Sequence, residues 1–173
     1  WASLPIVNPS KHQNAIAEAV KKLTNIDSGD ISQKNSVFMD YLQNGIPVAY
    51  HDGKEVRHDI VYLIDYEKPH RNTFQIINQW TYVEKSEKRA DLIVFVNGLP
   101  LVLIELKSPS REETDASAAY RQIRNYMFEI PSMFTYNAFC VMSDMLCSKA
   151  GTITSSEDRF MEWKTKDGNY ESK

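Results

Sequence analysis

The sequence predicts an α/β fold in which a mixed central β-sheet is flanked by helices. Two apolar runs, residues 92–96 and 101–106, are rich in Val, Ile and Leu and flank an Asn-Gly pair at 97–98. This pattern is typical of a hairpin covered on both faces. A helical apolar stripe at 111–130 then leads into a short apolar run at 138–142. Because a helix between two strands makes a crossover, we expect the last run to lie parallel to the second hairpin strand.

The first seventy residues are predicted to supply helices and a pair of strands. Residues 12–23 place apolar side chains at the spacing of an amphipathic helix, with Ser10 as its N-cap. The other elements, in chain order, are an extended lead-in at 1–10, a loop at 25–33, a short helix at 36–42 that Asn44-Gly45 stops, and strands at 46–50 and 57–66.

Residues 73–83 alternate between apolar and polar side chains and predict a half-buried strand beside the hairpin. The two sides of this strand are expected to carry Phe74, Ile76, Trp80 and Tyr82 on one face and Gln75, Gln79 and Thr81 on the other. Aromatic residues at a period of two indicate core packing more often than base stacking.

Three charged residues, Asp91, Glu105 and Lys107, stand at the ends of the otherwise apolar hairpin. Charges are rarely buried unless they are paired or bind a metal. Side chains alternate along a strand, so Glu105 and Lys107 share a face. Asp91 joins that face only if the hairpin has a loop of odd length or a bulge, and we predict that register.

This arrangement predicts a metal site. Two carboxylates with the backbone carbonyl of Leu106 form the oxygen-rich set that Mg²⁺ prefers, and the Lys107 ammonium can hold the attacking water or stabilise developing charge. The simpler interpretation is that each charge is a solvated strand end or half of a surface ion pair. Their combination on one hairpin favours the catalytic interpretation.

The spacing resembles a known superfamily. Asp91, thirteen intervening residues and Glu105-Leu106-Lys107 are similar to the pattern of PD-(D/E)xK nucleases, with Ala90 where that pattern has proline. The longer context is more specific and resembles the N-terminal nuclease region of the restriction (R) subunit of type I restriction enzymes, over residues 35–163. The stretches that carry this resemblance are 97–109, 122–126, 143–144 and 151–160.

The resemblance implies a restriction-endonuclease-like fold and an enzyme that hydrolyses phosphodiester bonds of double-stranded DNA. Asp91, Glu105 and the Leu106 carbonyl would hold Mg²⁺, for which Mn²⁺ would substitute, and Lys107 would position water. Gln122 and Tyr126 lie four residues apart on the predicted helix and resemble the additional motif of RecB-like nucleases. They are expected to support the site or to contact DNA.

Further residues are weaker candidates for the same site. Such folds often place an acidic residue on the first helix near the metal, and Glu18 is the candidate here, although it falls off the apolar stripe and a solvated position is favoured. Lys88, Arg89 and Arg111 could contact phosphates. The net charge of −3 is unusual for a DNA-handling protein, so we expect the chain to grip DNA weakly and to depend on neighbours.

The length of 173 residues suits one domain, predicted to span 1–165, with a tail at 166–173. Its parts are a lead-in and helix at 1–34, a nuclease core at 35–147, and a join at 148–165 anchored by Phe160 and Trp163. The apolar runs are too short to span a membrane, which predicts a cytoplasmic protein. The two cysteines have no CxxC spacing and are expected to be buried free thiols.

The chain begins at Trp1 and lacks a Gly-x4-Gly-Lys-Ser/Thr phosphate loop, so we expect a fragment whose ATP-driven translocase lies beyond Lys173. ATP would serve only that motor. Methyltransferase and specificity subunits are the expected partners. Two alternatives stay open: another PD-(D/E)xK nuclease of DNA repair or recombination, and a non-catalytic nuclease-like fold that serves as a docking platform for partner subunits.

Overall fold

The computed structural model describes residues 2–27, 29–107, 116–144, 147–162 and 164. Its helices are α1 Leu4–Val7, α2 Gln13–Thr24, α3 Ile31–Asn44, α4 Ala116–Glu129 and α5 Pro131–Phe134. Its strands are β1 Ile46–His51, β2 Val56–Val61, β3 Phe74–Val83, β4 Glu87–Val96, β5 Leu99–Leu106, β6 Phe139–Ser143, β7 Ser148–Gly151 and β8 Met161–Glu162. Short 3₁₀ turns occupy Pro69–Arg71 and Glu157–Arg159. The predicted α/β class is confirmed.

The strands form two sheets. β1 and β2 pair antiparallel, and the other strands form a six-stranded sheet in the order β3-β4-β5-β6-β7-β8. β5 and β6 are parallel, with Glu105 opposite Met142, whereas β6, β7 and β8 pair antiparallel. The parallel pair across the helical crossover was expected, and it makes the sheet mixed. The predicted hairpin, β4-β5, occupies the second and third places of this sheet.

The chain divides into two compact units, residues up to 75 with 95–99, and residues 76–94 with those from 100 onward. In the first unit α2 buries Ala15, Ala19 and Leu23 on the predicted stripe. Its N-cap is His12, whose Nδ1 accepts the Asn14 N–H at 3.1 Å, and the prediction of Ser10 was wrong. The expected extended lead-in instead contains α1.

α3 is longer than predicted because a capping box starts it inside the expected loop. Asp30 accepts the N–H of Gln33 at 2.9 Å, and the Gln33 side chain accepts the N–H of Asp30 at 3.0 Å. These bonds satisfy donors that a helix start otherwise leaves unpaired. The helix ends at Gly45, whose φ of 78° suits glycine, as the sequence indicated.

The turn of the predicted hairpin is anchored by its asparagine. Asn97 and Gly98 both have positive φ, 54° and 83°, as a tight hairpin turn requires. Asn97 is also buried: its Oδ1 accepts the Thr73 N–H at 2.9 Å, and its Nδ2 donates to Leu63 O at 2.8 Å and to Asn72 Oδ1 at 2.9 Å. The Asn97 side chain therefore holds the turn in place, in addition to adopting the backbone conformation that the turn requires.

β3 is more exposed than its alternation predicted. Phe74 is 62% and Ile76 70% exposed, and only Trp80 and Tyr82 of the expected apolar face are partly buried. The prediction of a half-buried strand was wrong because β3 ends the sheet, so its burial depends on what lies beside it and not on its own pattern.

The second unit packs α4 against the sheet. The predicted stripe is recovered in Ala119, Ile123 and Ile130, all buried; its start at 111–115 lies outside the described residues. Near the end of the unit, buried Phe160 packs edge-on against Tyr120 with ring centroids 5.6 Å apart.

The two cysteines differ in burial, so the prediction of buried free thiols holds in full for one of them. Both cysteines are free; Cys140 is fully buried, which raises its pKa to about 12, and Cys147 is partly buried. Of the helices in the described part of the chain, none combines the length and the apolar character that crossing a membrane requires. Trp163 lies outside the described residues.

Candidate active site

Glu105 takes the place of an apolar residue on the buried face of β5. Leu99, Leu101, Leu103 and Glu105 are all buried, at every second position of the strand. Glu105 is 1% exposed, whereas Leu106 after it is 43% exposed. Strand alternation thus carries a carboxylate into the apolar interior, where an ionised group is unfavourable without a partner.

Asp91 on β4 lies beside Glu105 and is held from two sides. Its Oδ2 accepts the backbone N–H of Leu106 at 2.9 Å, and its Oδ1 accepts the side-chain N–H of Gln79 at 3.2 Å. An unbroken two-residue hairpin would set Ile104, not Glu105, opposite Asp91. On β4, however, Ala90, Ile93 and Val96 are buried at steps of three, so the alternation breaks next to Asp91.

The two oxygens of Glu105 have different surroundings. Oε1 accepts a hydrogen bond from Lys107 Nζ at 3.0 Å. Oε2 is buried and has no hydrogen-bond partner among the described residues. Burial raises the pKa of this carboxyl to about 7; the Lys107 ammonium opposes the rise, and the neighbouring Asp91 carboxylate adds to it.

A chain of hydrogen bonds holds Lys107 in place. Its Nζ also donates to Gln122 Oε1, and Gln122 Nε2 donates to the Tyr126 hydroxyl at 2.6 Å. Tyr126 is buried and its hydroxyl donates to Arg89 O on β4 at 3.0 Å. Burial, with Glu105 and Asp91 nearby, raises the pKa of this tyrosine. The helical pair at 122 and 126 therefore joins α4 to both hairpin strands.

The side chains of this cluster offer oxygen ligands to a divalent cation. In the described parts of the chain, no group of three or more His, Cys, Asp and Glu side chains could hold a metal. The side-chain ligands at this site are therefore the two carboxylates of Asp91 and Glu105. Carboxylate oxygen is the ligand type that hard cations prefer. Oε2 of Glu105, which is buried and unpartnered among the described residues, is the atom that such a cation would bind. The residues present therefore fit a divalent cation.

The other predicted residues fall into three classes. Lys88 and Arg89 lie on β4, half-buried and exposed respectively, three and two residues before Asp91. Arg111 lies outside the described residues. Glu18 belongs to the other unit, on α2, where its carboxylate forms an ion pair with Lys21 at 2.5 Å.

Sequence reasoning missed Gln79, which the structure adds to the cluster. It was assigned only to the polar side of β3. Its side chain reaches Asp91 from a backbone that has a positive φ of 52° in the middle of the strand. No turn residue or spacing in the sequence signals such a conformation.

Comparisons with known proteins place this chain. A model of the family described as type I restriction enzyme R protein N terminus matches residues 3–159. The chain belongs to this family. The resemblance to R subunits that the hairpin and the downstream stretches indicated is thereby confirmed.

Curated relatives carry names that fit the family. The HindI endonuclease subunit of Haemophilus influenzae is 36% identical over 168 residues, which cover 96% of this chain and 16% of that protein. The putative MjaIXP endonuclease subunit of Methanocaldococcus jannaschii is 34% identical, covering 91% and 16%. The EcoprrI endonuclease subunit of Escherichia coli is 29% identical, covering 90% and 54%. The chain thus spans about a sixth of the first two relatives.

Proposed function

We propose that this chain carries the nuclease centre of a type I restriction R subunit and cleaves double-stranded DNA by Mg²⁺-dependent phosphodiester hydrolysis. The observation that supports this most directly is the buried Glu105 beside Asp91, whose Oε2 has no hydrogen-bond partner in the part of the chain that the structure describes. A carboxylate in that position is costly for folding alone, so a function that uses its charge explains its presence. The endonuclease names of the relatives support the same reaction class.

The roles follow from the contacts. Asp91, Glu105 and the Leu106 carbonyl would hold the cation, with Mn²⁺ able to substitute for Mg²⁺. When bound, the cation supplies Lewis acidity at the phosphodiester. The Leu106 N–H fixes Oδ2 of Asp91, so the same residue orients one carboxylate and offers its carbonyl to the site.

Lys107 is proposed to act in catalysis through its ammonium group. Its ammonium is held between Glu105 Oε1 and Gln122 Oε1 and is therefore fixed beside both carboxylates. From there it would hold the attacking water and neutralise charge that develops on the phosphate oxygens. Gln122 and Tyr126, which hold Lys107 and β4, act as positioning residues with their polar atoms turned to the protein.

DNA is expected to approach along the start of β4. Lys88 and the exposed Arg89 are the proposed phosphate contacts there, and Arg111, which lies outside the described residues, is a third candidate from the sequence. Because the net charge is −3, affinity from this chain alone is expected to be weak. We therefore propose that an ATP-dependent translocase region and the methyltransferase and specificity subunits deliver the DNA.

The test combines metal binding and cleavage. Mn²⁺ would be titrated calorimetrically into the chain, alone and with a DNA duplex, for the wild type, Asp91→Ala and Glu105→Gln. Glu87→Gln is the matched control because it removes an exposed carboxylate from the same strand as Asp91. Circular dichroism would establish that each variant is folded.

The expected result is Mn²⁺ binding that both site variants lose and the control keeps. In a full-length subunit assembled with its partners, Lys107→Ala is expected to abolish cleavage while ATP-driven translocation continues. Absence of Mn²⁺ binding by the folded wild type, with and without DNA, would overturn the metal centre and favour the docking platform. Loss of translocation in Lys107→Ala would point to a structural role.

A further inference from the structure

Gln79 has an unusual backbone for its position. Its φ of 52° lies in the left-handed region, and among the described non-glycine residues only Asn97 shares a positive φ. Asn97 occupies a hairpin turn, where that conformation is required. Gln79 stands in the middle of β3, with strand residues on both sides. Glutamine is not among the residues that readily adopt this region, so the conformation is disfavoured unless something offsets it.

The side-chain contact supplies that offset. From this backbone, Gln79 Nε2 donates to Asp91 Oδ1 at 3.2 Å. The other oxygen of the same carboxylate accepts the Leu106 N–H at 2.9 Å. Asp91 therefore receives one donor from β3 and one from β5, the two strands that neighbour its own strand in the sheet. Two donors on different oxygens fix the rotation of a carboxylate, which one donor does not.

We propose that Gln79 is a positioning residue that locks the Asp91 carboxylate, and that the backbone break in β3 exists to aim its amide. A donor to a metal-ligating group sets its orientation, and such supporting residues affect metal affinity strongly. The link to metal binding rests on the proposed function; the locking of Asp91 does not.

Two variants distinguish the effect of the Gln79 side-chain amide from the effect of its backbone conformation. Gln79→Gly removes the amide and also relieves the backbone, since glycine adopts positive φ freely. Gln79→Ala removes the amide and keeps the unfavourable backbone. Asn78→Gly is the control for a glycine in β3, because Asn78 is the exposed neighbouring residue.

The first readout needs no metal. Hydrogen exchange of the Leu106 amide, measured by NMR, reports whether Asp91 stays in place as its acceptor. We expect the Leu106 amide to exchange about 10-fold faster in both Gln79 variants, because the loss of one hydrogen bond makes local opening more favourable by about that factor. Amides of residues 101–103 should keep their rates. Unchanged Leu106 exchange in Gln79→Gly would overturn the proposal, as would an effect in Gln79→Ala alone.

The second readout is Mn²⁺ affinity by calorimetry. Both Gln79 variants are expected to bind Mn²⁺ about 10-fold more weakly than the wild type, and Asn78→Gly to bind it equally. Faster Leu106 exchange in the Gln79 variants, together with a wild-type chain that binds no Mn²⁺, would support the locking of Asp91 and refute the metal centre. Unchanged exchange with intact Mn²⁺ binding would refute the locking and leave the metal centre standing.

Discussion

Replacing Glu105 with glutamine should stabilise the metal-free chain at alkaline pH. Glutamine has nearly the shape of the protonated carboxyl, so the variant removes only the ability to ionise. The pKa of Glu105 is raised from 4.5 to about 7 because the side chain is buried. In the absence of a cation, the folded chain must therefore carry an unfavourable buried charge above neutrality.

The size of the effect follows from that difference. Each pH unit between the unfolded and folded pKa corresponds to about 1.4 kcal/mol, so the free energy of unfolding should change by about 3 kcal/mol. A raised folded pKa contributes stability that is complete below pH 4.5 and is lost as the pH rises through about 7. The wild type should match Glu105→Gln near pH 4.5 and be about 3 kcal/mol less stable at pH 8.5.

The assay is urea unfolding followed by circular dichroism in EDTA, from pH 4.5 to 8.5. Taking the difference between the two proteins at each pH cancels the titration of all other groups. Glu87→Gln is the control and should stay within about 0.5 kcal/mol of the wild type throughout, because Glu87 is exposed. Adding Mn²⁺ at pH 8.5 should stabilise the wild type and not Glu105→Gln.

A difference between wild type and Glu105→Gln that does not change with pH would refute the reasoning. It would mean that the carboxylate finds a partner or solvent that the structure does not give to Oε2. A difference that changed with the opposite sign would mean that the Lys107 ammonium outweighs burial, and that the pair is a stabilising ion pair instead of a poised ligand.

Three further predictions concern metal binding, the turn and a close backbone contact. Below pH 7 the apparent Mn²⁺ affinity of the wild type should fall about 10-fold per pH unit, because the cation must displace the proton on Glu105, and calorimetry at pH 6, 7 and 8 measures this. Asn97→Ala should lower the free energy of unfolding by about 2–4 kcal/mol, since it leaves the Leu63 carbonyl and the Thr73 N–H without their partner in a buried turn; urea unfolding should show no loss if those groups find water instead. Gly151→Ala should cost about 1–3 kcal/mol, because a Cβ there would lie 2.6 Å from the Phe160 ring, and a thermal midpoint equal to that of the wild type would show that the ring moves aside.

The sequence predicted the hairpin and its crossover well because their signals are local. The Asn-Gly pair at 97–98 specifies a tight turn, and the apolar run that leads to Glu105 forms a strand in which every second residue is buried. The parallel partner β6 followed from the helix between the two strands. These features depend on neighbouring residues and on the handedness of a crossover, both of which a sequence displays.

Other features were missed for different reasons. The start of α3 had a readable signal, Asp30 followed by Gln33, but the mostly polar composition of residues 25–33 and their Gly29 favoured a loop. The exposure of β3 could not be read, since Phe74 and Ile76 alternate like core residues and only the order of the sheet shows that the strand ends it. Gln79 could not be found either, because it contacts Asp91 from a backbone angle that glutamine seldom adopts.

The exposure of β3 also determines how the purified chain should behave at high concentration. Its ten residues include no charge and no proline, the usual means by which an outer strand avoids pairing with another molecule. Phe74, Ile76 and Val83 add apolar surface of 62–70% exposure along it. Self-association through this strand, before any loss of folding, should therefore set the upper limit of solubility. A single lysine in place of Ile76 should raise that limit without changing the melting temperature.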